Sequence, residues 1–173
     1  MYKYTDAEKK EMVSKIVVIV DTKEQKNNHI IEHFEKKEIK YVEKNLEFGD
    51  YAFYVEKCET IGIMRDTYFQ NEIIIERKAS LEELSNNLTE GRQRFKNEFL
   101  RAEDAKKIMI VEKGSLMELA TGKYNTKFDK KAFLASVLSL NIQFDVELVF
   151  ILETITGHYI HEVFKRFVLH HYK

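Results

Sequence analysis

With 173 residues, 44% of them hydrophobic and 33% charged, the chain has room for one domain with a proper core and reads as a soluble globular protein. A net charge of −1 excludes a polycation that clings to nucleic acid over its whole surface, so any nucleic-acid site must be a local patch. No apolar run approaches the ~18 residues of a membrane span, residues 1–10 lack the apolar core of a signal peptide, and the single cysteine, Cys58, cannot form an internal disulfide. The expectation is therefore a protein of a reducing cytoplasm, with no membrane association.

In chain order, Thr5 with Glu8 forms a capping box for a short leading helix, part of an N-terminal extension over residues 1–15. Ile16-Val17-Val18-Ile19-Val20 is the continuous apolar run of a strand buried on both faces. Asp21-Thr22-Lys23-Glu24 follows at that strand's carboxyl end, where open α/β sheets place ligands. Asn27 or Asn28 caps a helix that turns Ile30, Ile31 and Phe34 inward, and residues 40–46 read as a strand or sheet edge. Gly49 permits a tight turn, and Asp50 begins the strand-like run Tyr51-Ala52-Phe53-Tyr54-Val55. Residues 51–56, 60–65 and 72–78 are expected to form an antiparallel meander.

Residues 73–78, Ile-Ile-Ile-Glu-Arg-Lys, carry the chemistry. Alternate side chains of a strand point to opposite faces, so Glu76 and Lys78 share one face and Arg77 takes the other. A carboxylate and an ammonium emerging together from a buried strand suit a metal ion held beside a reacting water. Ser80 and Glu83 then form a capping box for a helix with Leu81, Leu84 and Leu88 inward. A basic helix over 91–104 is expected to continue from it, with Arg92, Arg94, Lys96 and Arg101 against the lone anion Glu98.

Residues 107–112 form a buried strand, 114–120 and 129–141 helices, 145–152 a last strand and 154–170 a final helix. The loop between the two helices is basic, with Lys123, Tyr124 and Lys127. The final helix presents Ile155, Tyr159, Ile160, Val163, Phe164, Phe167 and Val168 over more than one stripe, which leaves core packing and a partner surface both open. The six histidines lie as His29/His33, His158/His161 and His170/His171, without the converging partners of a zinc site. The order of elements gives an α/β protein.

Taken singly, Asp50 reads better as a turn aspartate, Asp21 has an ordinary role as a loop or helix-capping carboxylate, and the basic helix is equally a solvated face. In sequence, Gly49-Asp50, Glu76-Arg77-Lys78 and the Gly91-Arg92 helix resemble the nuclease domain of the XPF family of structure-specific endonucleases, compact phage-type and archaeal Hef-type members included. That family's signature is GD…ERKxxxD, preceded by an Asp-(Ser/Thr)-(Lys/Arg)-Glu segment that Asp21-Thr22-Lys23-Glu24 matches. Glu82 stands where the signature ends in Asp.

The resemblance implies a restriction-endonuclease-like mixed sheet flanked by helices, as one domain over 1–173 without an attached helix-hairpin-helix or helicase domain. It implies a Mg²⁺-dependent endodeoxyribonuclease, with Mn²⁺ as substitute, acting on branched, flap or fork DNA in repair or recombination. Asp21, Asp50, Glu76, Arg77 and Lys78 are then the catalytic set. Asp50, Glu76 and the Arg77 backbone carbonyl hold the metal, and Asp21 (with Glu24 a weaker candidate) supports it or a second ion. Arg92, Arg94, Lys96 and Arg101 contact DNA phosphates, with Lys123 and Lys127 extending the track. A homodimer through the nuclease domain follows from the same resemblance; the rival reading is an inactive junction-binding or scaffold subunit.

Overall fold

A computed structural model describes residues 3–172 of the chain. The elements run α1 (Asp6–Ser14), β1 (Ile16–Val20), α2 (Asn28–Lys36), β2 (Tyr41–Glu43), β3 (Tyr51–Val55), β4 (Thr67–Tyr68), β5 (Ile73–Ser80), α3 (Leu81–Leu88) and α4 (Arg92–Arg101). Then come β6 (Lys106–Lys113), α5 (Leu116–Thr121), α6 (Lys130–Phe144), β7 (Val146–Phe150) and α7 (Thr156–His171). The protein is a mixed α/β fold with a seven-stranded sheet, as its sequence pattern predicts. By its internal contacts it resolves into two compact units, residues 1–46, 51–70 and 157–173 in one, and residues 47–50 and 71–156 in the other.

In the first unit β1 pairs parallel with β2 and antiparallel with β3. All five residues of β1 are buried, which the unbroken β-branched run from Ile16 to Val20 requires. The expected strand over 60–65 is absent. Residues 59–61 form a 3-10 turn that ends at Gly62 with φ +80°, a bridge links Cys58 to Ile63, and β4 is only Thr67–Tyr68. Alternation of apolar residues there reflects a tight loop folded on itself. The aromatic core stacks Phe53 on Phe69 at 4.7 Å and on Phe164 of α7 at 4.8 Å between ring centroids. Ile160, Phe164 and Val168 of α7 are fully buried, and Phe167 meets Phe53 and Phe69 edge-on. So most of the wide apolar surface of the last helix serves its own unit.

Asn27 does head α2, but its side chain makes no cap; Nδ2 donates to the Tyr51 hydroxyl instead. On α2, His33 packs edge-on to His158 at 6.0 Å. Burial, then His158 and two nearby lysines, pull the His33 pKa below its usual value, and burial followed by Lys165 does the same to His161. A histidine whose folded pKa is depressed adds no penalty above its unfolded pKa of about 6.5 and costs stability as pH falls below it. The melting temperature is therefore expected to fall between about pH 6.5 and 5, and replacing His33 and His161 by Gln should flatten that slope in a thermal melt series.

In the second unit β5, β6 and β7 are all parallel. Six consecutive residues of β5, Ile73 to Lys78, are buried, and so are six of β6. Leu81, Leu84 and Leu88 of α3, Phe95 and Phe99 of α4, and Phe133 of α6 form one core with Met109 and Val111 of β6. The basic helix does not continue from α3. Thr89 caps α3 with φ −107° and ψ −87°, its hydroxyl returns to the Ser85 carbonyl, and α4 starts afresh at Arg92.

Candidate active site

The second unit assembles four of the five predicted catalytic residues around the end of β5. Asp50 belongs to this unit through two bonds to the strand. Its N–H donates to the Ile75 carbonyl at 2.9 Å, and its Oδ2 accepts from the Arg77 N–H at 2.7 Å. Both bonds depend on the preceding residue. Gly49 sits at φ +74°, and a Cβ there would meet Ile74 Cβ and Cδ1 at 3.1 Å. A backbone held this close to β5 by a residue without a side chain places a carboxylate beside the residue that follows Glu76.

Glu76 and Lys78 share one face, as parity requires: Nζ of Lys78 donates to Oε1 of Glu76 at 2.7 Å, and both side chains are largely buried. The same ammonium lies 3.9 Å from Glu83 Oε1 and 5.2 Å from the centre of the Phe95 ring. Burial opposes its charge, but Glu76, then Asp50, then the hydrogen bond to Glu76 outweigh it and hold its pKa above the ordinary lysine value. Lys78 is thus the resident cation between two carboxylates.

Arg77 goes the other way. Its Nη2 meets Oε2 of Glu112 on β6 at 2.7 Å, with side chains 4% and 0% exposed. The strand parity that joins Glu76 to Lys78 thus sends Arg77 into a buried ion pair.

Asp21 lies in the first unit, buried, where Oδ1 accepts from the Leu46 N–H at 3.0 Å. Glu24 accepts there from the Tyr51 hydroxyl. Among the described residues, no group of three or more His, Cys, Asp or Glu side chains is arranged to hold a metal ion. The hard-oxygen pair Asp50 and Glu76 still fits Mg²⁺, which keeps several waters and takes one or two carboxylates.

Of the predicted DNA-contacting residues, Arg92 and Arg94 are exposed on α4 and Lys96 is half-buried. Arg101, also exposed, reaches back to the Glu47 carbonyl at 3.4 Å, so it braces the segment that leads into Gly49. Lys123 and Lys127 are exposed. Tyr124 is half-buried, its ring 5.2 Å from Phe133 and its hydroxyl donating to the Phe128 carbonyl, so it anchors the loop. Ser80 caps α3 by accepting from the Glu83 N–H, while the Glu83 carboxylate takes the Ala79 N–H.

Two residues escaped the sequence reading. Glu112 is the partner of Arg77, visible only once β6 is laid beside β5. Glu98 stands on the inner side of α4, where burial, then the charge of Glu76, raises its pKa. Its signal was its spacing: it follows Phe95 by three residues, on the stripe that faces Lys78.

The model of the ERCC4 domain family matches residues 20–162. Among solved structures, XPF from Aeropyrum pernix is similar with a TM-score of 0.59 and 20% identity, over 85% of this chain and 62% of that one. XPF from Aeropyrum pernix in complex with DNA is similar with a TM-score of 0.62 and 19% identity, over 89% of this chain and 65% of that one. The chain spans a little under two thirds of each, and at these identities the likeness is one of fold. Among curated proteins nothing matches.

Proposed function

The chain belongs to the ERCC4 domain family, and from that premise we propose that it is a metal-dependent endodeoxyribonuclease that hydrolyses phosphodiester bonds in branched, flap or fork DNA near duplex-to-single-strand junctions. The observation that carries this reading is the gathering of Asp50, Glu76 and Lys78 at the end of β5, with the Lys78 ammonium on Glu76.

Asp50 and Glu76, with the Arg77 carbonyl, would hold Mg²⁺ or Mn²⁺. A bound ion supplies Lewis-acid polarisation of the phosphate and a more acidic water. The protein's own residues do the rest. The bonds from Asp50 to the backbone at Ile75 and Arg77 fix that carboxylate before substrate arrives. Lys78, kept protonated by its neighbours, orients the attacking water and offsets charge that develops on the phosphate. Phe95 covers one side of that ammonium, which strengthens its field on the phosphate. The buried Arg77–Glu112 pair holds the strand end in place from its other face.

Junctions are read through shape and backbone rather than base edges. The exposed cations of α4 supply such contacts without a recognition helix. Arg92→Ala and Arg94→Ala are expected to weaken binding to every DNA sequence alike and to lower the salt slope by about one counterion per lost phosphate contact. Fluorescence anisotropy across a salt series measures this; an unchanged slope returns α4 to an ordinary solvated helix.

The broader test is cleavage of labelled flap, fork, Holliday junction and plain duplex with Mg²⁺. Junction-proximal cutting of flap or fork supports the reading; no cutting of any substrate in Mg²⁺ or Mn²⁺ ends it. The reading places the protein inside the cell, in repair or recombination, as a self-pair.

A further inference from the structure

Glu82 ends the ERKxxxD-like run; beside its hydrogen bond with Ser80 at the end of β5, it reaches out to a distant loop. Its Oε1 accepts the backbone N–H of Asn125 at 2.9 Å. Three residues on, and so on the same side of α3, the buried Ser85 hydroxyl bonds to the Thr126 hydroxyl at 3.2 Å. Two adjacent residues of the loop 122–129 are thus fastened to the helix that follows the catalytic strand directly. Lys123 and Lys127 lie two residues to either side of Asn125, both exposed. The rest of the loop is anchored at its base: Thr126 Oγ1 accepts from the Phe128 N–H, and Phe128 stacks on Phe133. The carboxylates that Lys78 Nζ meets are Glu76 at 2.7 Å and Glu83 at 3.9 Å. Hydrogen bonding by Asn125 is what most favours the ionised form of Glu82 and lowers its pKa.

We propose that Glu82 is a positioning residue for DNA: through the Asn125 N–H it clamps loop 122–129 to α3, so that Lys123 and Lys127 meet the phosphate backbone in a fixed place, and it takes no part in holding the metal. The proposal rests on the nuclease reading above. A loop ordered in advance loses less freedom when DNA binds, so the clamp acts on affinity rather than on the chemical step.

The two roles demand opposite side chains. A clamp needs the length of Glu and one acceptor oxygen, so Glu82→Gln preserves it, while Glu82→Asp, shorter by a methylene, falls out of hydrogen-bond range. A metal ligand needs the charge, so Glu82→Asp would serve and Glu82→Gln would fail. The measurements are amide hydrogen exchange at Asn125 without DNA, fork binding and cleavage, and Mn²⁺ binding by calorimetry without DNA.

We expect Glu82→Asp and Glu82→Ala to speed Asn125 exchange by about tenfold, with core amides unchanged. Both should raise KM by about fivefold at constant kcat. Glu82→Gln should match the wild type in all three, and Mn²⁺ affinity should hold throughout. Tolerance of Asp with loss of Mn²⁺ binding in Gln would overturn the proposal, as would unaltered Asn125 exchange in Glu82→Ala. Faster exchange with unchanged DNA affinity would refute the DNA role. Failure of the wild type to bind or cut any DNA would instead sink the nuclease reading, and the exchange data, taken without DNA, tell the two apart.

Discussion

Replacing Glu76 by Gln is expected to stop cleavage while leaving a folded protein that still binds DNA. The substitution keeps the shape of the side chain and its acceptor oxygen, so Lys78 Nζ, 2.7 Å from Oε1, retains a partner, with Asp50 and Glu83 close by to balance its charge. What is lost is the negative charge that would hold the metal and the polarisation that goes with it. An effect of that kind is worth several kcal/mol of transition-state stabilisation, about a thousandfold or more in turnover. Asp50→Asn should behave alike, although its amide can present an N–H to Arg77 N and weaken the 2.7 Å bond that fixes it. Single-turnover cleavage of a labelled fork in Mg²⁺, beside anisotropy on the same fork, separates catalysis from binding. Near-normal turnover in either variant would show that these carboxylates do not hold the metal.

The largest effect on folding is expected from the far face of the same strand. Glu112→Ala leaves the Arg77 guanidinium, 4% exposed, without the carboxylate it meets at 2.7 Å. Removing one partner of a buried ion pair costs about 3–5 kcal/mol, a large part of the roughly 5–15 kcal/mol by which a domain is stable. Filling both positions with apolar groups, Arg77→Met with Glu112→Leu, removes the charge and the need for its partner together. That double variant should recover most of the loss, because a buried ion pair gains little over well-packed apolar residues. Urea titrations of the single and double variants decide the matter: a loss below about 1 kcal/mol in Glu112→Ala would mean that other groups or water satisfy the guanidinium without Glu112.

These two predictions use opposite sides of one β-strand, and the division between them was legible in the sequence. A two-residue period needs no tertiary information, so Glu76 and Lys78 could be paired and Arg77 sent away from them on spacing alone. Gly49-Asp50 was legible for a similar reason, since a glycine before a strand signals a backbone that only glycine tolerates. The partners were not legible. Glu112 lies 35 positions from Arg77, and only the parallel pairing of β5 with β6 brings them together. Glu98 was hidden among the cations of α4, where charge counting treats it as the exception to a basic helix rather than as the residue turned inward.

The misreadings have physical causes too. Apolar residues between Thr60 and Ile63 alternate as in a strand, but the left-handed conformation at Gly62 folds them into a turn. The stop between α3 and α4 was masked because Thr89-Glu90-Gly91 joins two helical patterns without a proline. Tyr124 had the composition of a DNA-facing loop residue, and nothing local announced that its ring would pack against Phe133.

Position 49 also governs how this site can change over generations. Every missense change in a glycine codon adds at least a Cβ, and here that atom meets Ile74 in a backbone region that L residues rarely enter. Neighbouring exposed positions can wander through many codons at little cost, whereas this one offers no neutral neighbour. The aspartate beside it is therefore guarded by a residue that performs no chemistry, and a lineage that loses the glycine loses the placement of the carboxylate even while the aspartate codon itself remains intact.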